Sequence, residues 1–320
     1  MVGVGLLWVI TSCISLQSPA GIPLSKEPVS PLPQAHGQHP GKVALGERLF
    51  HEKRLSVDNT VSCGHCHQLA RGGTDRLPRS FGVGGAQGKV KSPTVYNSRF
   101  SLAQFWDGRA GSLEQQVDGP VHNAFEMASS WPRILPLLRG DAEYREQFAA
   151  IYSDGITPAN IRDAIASFER SLITPDSTFD QWLRGDETAL SDQAKRGYSL
   201  FKSYGCVACH QGVNLGGNLY QRMGVLGDYF ADRGTPIEAA DLGRFNVTGD
   251  EADRHMFKVP SLRLAYINPP YFHDGSAGTL REAIEVMARY QLGRHIPPGD
   301  LAAIEAFLAS VVGRHPRLDP

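Results

Sequence analysis

A chain of 320 residues has room for two hydrophobic cores, and its 41% hydrophobic content is that of an ordinary globular protein. With 32 basic against 33 acidic side chains and a formal charge of -1, it lacks the footprint of a nucleic-acid or anionic-membrane binder, so any charged docking surface must be local. Cysteine usage argues against disulfide scaffolding: of five cysteines, four form the close pairs Cys63/Cys66 and Cys206/Cys209, each followed at once by a histidine.

Residues 1–24 read as a signal peptide. The apolar run from Gly5 to Ile10 is too short to span a bilayer, no charge precedes Lys26, and Ser18-Pro19-Ala20 offers small residues for cleavage. Ile10-Thr11-Ser12-Cys13 also fits a lipoprotein cleavage box loosely, which makes a lipid anchor through Cys13 the minor alternative to a cysteine discarded with the signal. Residues 25–40 are proline-rich and aperiodic, so they read as an extended lead-in, with folded structure expected from near Gly41.

From there the chain repeats itself. Gly46-Glu47-Arg48-Leu49-Phe50 precedes the first cysteine pair, and Gly197-Tyr198-Ser199-Leu200-Phe201 precedes the second. Laying Lys91-Ser92-Pro93-Thr94-Val95 on Lys258-Val259-Pro260-Ser261-Leu262 without a gap also matches Phe105 with Phe272, Asp107-Gly108 with Asp274-Gly275, Ala110-Gly111 with Ala277-Gly278, and Leu113 with Leu280. Two copies of one unit, 41–184 and 185–320, are therefore expected.

Helices are expected where apolar residues recur at three- and four-residue steps. Ile161, Ala164, Ile165, Phe168 and Leu172 do so after the Thr157-Pro158 cap, and Leu301, Ile304, Phe307, Leu308 and Val311 do so after Pro297-Pro298-Gly299-Asp300. Segments 71–100 and 212–260, rich in glycine and polar residues, read as long loops with little strand.

Cys63-Gly64-His65-Cys66-His67 and Cys206-Val207-Ala208-Cys209-His210 both match C-x-x-C-H, the attachment signal of c-type haem. Two thiols at this spacing add to the vinyl groups of one porphyrin, and the following histidine supplies the proximal iron ligand. A redox C-x-x-C needs no such histidine, and zinc needs further ligands from elsewhere. The expected fold is mainly α, with two cytochrome c-like haem domains related by the repeat and joined by long loops. Two covalently bound haems are expected, with His65 a spacer.

Met287 is the candidate sixth ligand of the second haem, because thioether opposite imidazole suits an electron-transfer centre. Its plain alternative is a core methionine on the run Leu280, Ala283, Ile284, Met287. The repeat places Pro120, which cannot ligate iron, at the equivalent position of the first copy. This asymmetry points to one electron-entry site and one reactive site.

Over residues 41–313 the chain resembles the bacterial di-haem cytochrome c peroxidases. The resemblance rests on both haem motifs and on Ser92-Pro93-Thr94-Val95, Gln104-Phe105-Trp106-Asp107-Gly108-Arg109, Glu126-Met127, Val213-Asn214-Leu215-Gly216-Gly217, Pro270-Tyr271-Phe272-His273-Asp274-Gly275, and Met287 with Gln291-Leu292-Gly293. It implies an N-terminal haem that reacts with hydrogen peroxide and a C-terminal His/Met haem that accepts electrons from a small periplasmic cytochrome c or cupredoxin. It also implies that Trp106 stands between the haems and that Glu126 is the distal acid and Gln116 a distal amide; related peroxidases are often homodimers, and the signal segment points to export to the periplasm. His273 aligns with Trp106 in the repeat, while His51, His122, His255 and His295 read as satisfied or solvent-facing.

Two departures stand out. Val83 occupies the place where many relatives carry a distal histidine in a glycine-flanked loop, which predicts a mobile loop without a latch and a first haem free of a sixth protein ligand. Lys91 replaces the asparagine through which relatives hold calcium; an ammonium cannot ligate calcium but can occupy the cation site itself. Two other functions compete with peroxide reduction. A related di-haem enzyme that oxidises residues of a partner protein places tyrosine where Met287 stands, although Tyr290 lies one turn away. A plain electron carrier would have no use for Glu126.

Overall fold

Glycine sets the geometry of both halves, because it lets two helices cross almost in backbone contact. In the computed structural model, which describes residues 27–318, Gly46 of α1 (Pro40–Phe50) lies so near α6 (Pro158–Ser171) that an added Cβ would come within 1.9 Å of the Ala164 carbonyl oxygen. Gly197 of α8 (Asp192–Tyr204) meets the Ala303 carbonyl of α12 (Pro298–Ser310) at the same 1.9 Å. Each crossing is thus built from a glycine in the helix before a cysteine motif and an alanine in the helix that closes that half.

Between α1 and α6 run α2 (Cys63–Cys66), α3 (Leu113–His122), α4 (Trp131–Gly140) and α5 (Ala142–Ala149). After α6 come α7 (Thr178–Leu183), α8, the short α9 (Tyr229–Asp232) and α10 (Phe245–Thr248), then α11 (Leu280–Leu292) and α12. The only sheet among the described residues pairs β1 (Tyr220–Arg222) antiparallel with β2 (Met256–Lys258), so the long loop segments hold little strand, as expected. Capping follows the sequence signals. Thr157 accepts from the Asn160 backbone N–H with Pro158 in the first turn, and the repeat-equivalent Ser112 and Thr279 accept from Gln115 and Glu282 to start α3 and α11.

One core lies around Leu49, Val117, Ile134, Phe148 and Ile165, and another around Phe179, Phe201, Ile304, Phe307 and Leu308. Structural details repeat with the sequence. Phe105 and Phe272 hold positive φ of 69° and 68°, and the bridges Gln104↔Ala110 and Tyr271↔Ala277 close equivalent loops. Between the halves the contacts are reciprocal: the Lys91 N–H donates to the His273 carbonyl at 2.8 Å and the Lys258 N–H to the Trp106 carbonyl at 2.9 Å. Such an exchange of equivalent partners makes the interface self-complementary, as in a twofold dimer.

The expected start of folded structure near Gly41 needs correction. Val29 and Leu32 are buried, and Val29 belongs to the second core. Arg263, wholly buried, donates to the Ser30 carbonyl and pairs with Asp180 at 2.7 Å, while Asp180 also accepts from the Leu32 N–H. Reciprocally, the C-terminal segment reaches the first half, where Leu318 packs with Phe50 and Phe168 and Arg317 pairs with Glu47 at 2.5 Å. Prolines hold the lead-in extended, so its burial leaves no periodic trace in the sequence. The proposed signal segment and Cys13 lie outside the described residues. No helix among those residues is long and apolar enough to cross a membrane.

Candidate functional site

The first cysteine motif is a single helical turn, α2, that brings Cys63 and Cys66 onto the wall of one cavity with His67 immediately after them. The Nδ1 of His67 lies 3.2 Å from the Gly73 carbonyl. A carbonyl only accepts, so Nδ1 carries the proton and Nε2 keeps its lone pair. Burial holds this imidazole below its ordinary pKa and therefore neutral at pH 7. His210 repeats the device: its Nδ1 lies 3.2 Å from the Leu215 carbonyl, and burial pushes its pKa down to about 4. The four thiols form no disulfide, and burial pushes Cys63 and Cys66 up to about 12 and Cys206 to about 11. Paired reduced thiols beside a neutral imidazole whose orientation is fixed through Nδ1 are a donor set that fits c-type haem in both halves. His65 is exposed, in keeping with a spacer.

The cavity bearing Cys63, Cys66 and His67 is also lined by Trp106, Arg109, Gln116, Pro120 and Glu126. The structure thus brings the three expected reactive-site side chains to the first haem motif. Glu126 sits in the turn after α3, its Oε1 accepting from Asn123 Nδ2 at 2.6 Å. Burial raises its pKa above the usual carboxylate value, against the opposing effects of the Asn123 hydrogen bond and the Arg109 charge.

Val83 stands differently from expectation. Its side chain is buried in the first core with Val121 and Met127, and its N–H donates to the Glu126 carbonyl at 2.8 Å. The Phe81↔Gln87 bridge closes the loop, and Gly82 passes where a Cβ would come 2.2 Å from the Phe125 carbonyl oxygen. The loop expected to lack a latch is therefore pinned through its backbone to the segment carrying the candidate acid. His122 is exposed and packs on Trp131 at 6.1 Å.

Trp106 belongs to both halves. It lines the first cavity, donates from Nε1 to the Lys91 carbonyl at 2.9 Å, and packs in the aromatic cluster that contains Met287 of α11. The cluster holds a second thioether, Met223, which sequence reasoning missed because it stands in the long loop without periodicity. Tyr290 is in the same cluster, its hydroxyl donating to Asp232 at 3.0 Å. His273 is buried against Phe257, with Nε2 2.7 Å from Asp241; Asp241 and Asp274 are both paired with Arg233. His255 stacks on Phe230, and His51 and His295 are exposed. Lys91 is buried, its Nζ 3.3 Å from Thr74 Oγ1. Glu169 and Arg109 also line the cavity without having drawn a role from the sequence. For Glu169 the available signal was a charge on the apolar face of α6.

Two helical halves that each present a C-x-x-C-H motif with an oriented histidine define a c-type cytochrome with two haem centres. A family model described as di-haem cytochrome c peroxidase matches residues 40–188. The chain is 44% identical over 298 residues to cytochrome c551 peroxidase of Nitrosomonas europaea, covering 93% of this chain and 87% of that protein. It is 50% identical over 289 residues to the Escherichia coli cytochrome c peroxidase Ccp, covering 90% of this chain but spanning only 61% of that longer relative. A crystal structure of a MauG-like protein associated with microbial copper homeostasis superposes with a TM-score of 0.78 at 28% identity, over 95% of this chain and 99% of that one. The chain belongs to the di-haem cytochrome c peroxidase family, and its cofactors are two haems.

Proposed function

We propose that this chain reduces hydrogen peroxide to water with two electrons from a small c-type cytochrome or cupredoxin, after export to the periplasm. One observation carries the reading: the first cavity joins a haem motif to a half-buried acid, Glu126, and has Pro120 where the repeat has Met287. Bound haem supplies the iron that binds peroxide and the route for electrons. Glu126, as carboxylate, takes a proton from the inner peroxide oxygen and hands it to the outer one, so that the O–O bond breaks with water as the leaving group. Two protons from solvent and two electrons complete the two waters. Gln116 orients peroxide through its amide, and Arg109 sets the local charge. His67 and His210, with Nδ1 held by backbone carbonyls, would hold the irons from their Nε2 atoms, and Met287 would serve as a further ligand in the C-terminal half. Trp106, touching the cavity and the Met287 cluster, carries electrons between them.

Steady-state turnover of peroxide by the di-haem protein with a reduced small cytochrome c tests the reading. Turnover above that of free haem is expected. A rate no faster than free haem would leave an electron carrier as the better reading.

A further inference from the structure

Glu169 breaks the pattern of its own helix. α6 and α12 meet their partners through matching residues, Ala164 and Phe168 against Gly46, and Ala303 and Phe307 against Gly197. The next residue is Glu169 in the first half and Leu308 in the second, 5% and 3% exposed. A carboxyl thus stands where the equivalent helix packs a leucine. Its Oε2 is buried with no hydrogen-bond partner among the described residues, and the side chain lines the cavity that carries Cys63, Cys66 and His67.

The surroundings do little to stabilise a negative charge there. Arg170, the adjacent residue, favours the carboxylate but is itself paired with Glu114 of α3 at 2.5 Å, and Glu114 in turn opposes ionisation of Glu169, so burial outweighs the Arg170 charge. From α2 the neighbour is the Cys63 thiol, and Glu126 is the other acid on the cavity wall. Burial pushes the Glu169 carboxyl up to about 8. Burying such a group without a partner destabilises the fold, and departures from local packing rules of this kind concentrate at functional sites.

We propose that Glu169 is the redox-linked proton site of the N-terminal haem, holding a proton while that haem is reduced and releasing it to water when the haem is oxidised. The proposal rests on reading this cavity as a haem site. Each oxidation passes one electron to an acceptor, either peroxide in turnover or a ferricyanide mediator in a titration. The positive charge left in a low-dielectric cavity favours carboxylate, so the Glu169 O–H bond breaks and its proton goes to solvent. Reduction returns one electron and one proton. Leu308 gives the other half no counterpart, so charge compensation is confined to the haem where oxidising equivalents collect.

The test is a mediated spectroelectrochemical titration of the intact di-haem protein, repeated at stepped pH from neutral into the alkaline range. In the wild type the reduction equilibrium of the N-terminal haem should weaken by up to roughly tenfold per pH unit across the Glu169 titration. In Glu169→Gln, and in Glu169→Leu, which copies the second half, that dependence should vanish, with the alkaline value staying at the neutral one. Glu126→Gln should keep the dependence, and the C-terminal haem should be unaffected throughout. Oxidised-minus-reduced infrared spectra should show loss of one protonated-carboxyl band in the wild type and none in Glu169→Gln. A pH dependence that survives both Glu169 variants, or a wild-type spectrum without the carboxyl band, would overturn the proposal. If Glu169→Gln loses haem, the leucine variant and the wild-type spectrum decide. Neither measurement uses peroxide, so a failure of peroxidase turnover would count against the proposed function and leave this result standing.

Discussion

Trp106 and His273 are equivalent residues of the repeat, and their rings meet edge to face with centroids 6.4 Å apart. Their carbonyls accept from Lys258 and Lys91 respectively, so the two halves exchange matched hydrogen bonds around this ring pair. The symmetry stops at the side chains. The Trp106 indole donates to Lys91 and reaches the first cavity, whereas His273 is bound to Asp241.

Trp106→Phe should keep both haems and the aromatic packing but leave the Lys91 carbonyl without the indole donor. We expect a stability loss of about 1–3 kcal/mol in denaturant titration and slower turnover, with reduction of the C-terminal haem by the donor unchanged. Equal slowing of both steps would show that Trp106 shapes the donor surface instead of the route between the centres.

Met287→His should keep the C-terminal haem low-spin and lower its midpoint potential, because imidazole favours ferric iron more than thioether does. Met223, in the same cluster, provides the control. Met223→Leu should leave the potential where it is. The reverse pattern in a redox titration would move the ligand from α11 to the loop.

Glu126→Gln keeps the shape of the acid and removes its proton transfer. Peroxide-dependent turnover should fall by roughly a hundred- to ten-thousand-fold, while haem content stays unchanged. Burial raises the Glu126 pKa, and the carboxylate is the active form. Activity should therefore be lost as pH falls through a value above the ordinary carboxylate range, and this acid limb should be absent from the variant's residual activity. Stopped-flow spectra showing undiminished reaction with peroxide would remove Glu126 from the mechanism.

Asp180 and Arg263 are both wholly buried and join the lead-in to the second core. Asp180→Ala strands the guanidinium and should destabilise the protein by about 3–5 kcal/mol, read as a lower midpoint in denaturant. A change under about 1 kcal/mol would mean that the carbonyls of Val213 and Ser30 suffice for Arg263.

The architecture was legible because its signals are local. C-x-x-C-H carries its own chemistry, Thr157-Pro158 is a local helix-start signal, and the offset that aligns Lys91 with Lys258 also aligns Phe105 with Phe272, whose shared positive φ is a backbone constraint. Burial of Val29 and Leu32 was hidden, since an extended segment packs without periodicity. The core position of Val83 was hidden for a related reason: glycines on either side signal a turn but not which way its one apolar side chain faces. Met223 and Glu169 gain their interest only from neighbours distant in sequence.

The pinned loop around Val83 leads to the last prediction, that the N-terminal haem of the oxidised enzyme lacks a sixth protein ligand and reacts with peroxide without prior reduction of the other haem. Valine has no donor atom, and here it faces the first core with its backbone tied to Glu126. Pro120 takes the place of Met287 in the repeat and lines the cavity without a donor side chain. His122, the nearest histidine in sequence, is exposed and meets Trp131 edge to face. A gate that opens on reduction requires two arrangements of a ligand-bearing segment, and this segment bears no ligand. Electron paramagnetic resonance of the resting protein should show one high-spin and one low-spin ferric haem, and mixing the oxidised protein with peroxide should give spectral change with no lag. Two low-spin signals, with a lag abolished by pre-reduction, would show that another side chain closes the site. Lys91 and Lys89, the two lysines on the cavity wall, would then be the first to replace.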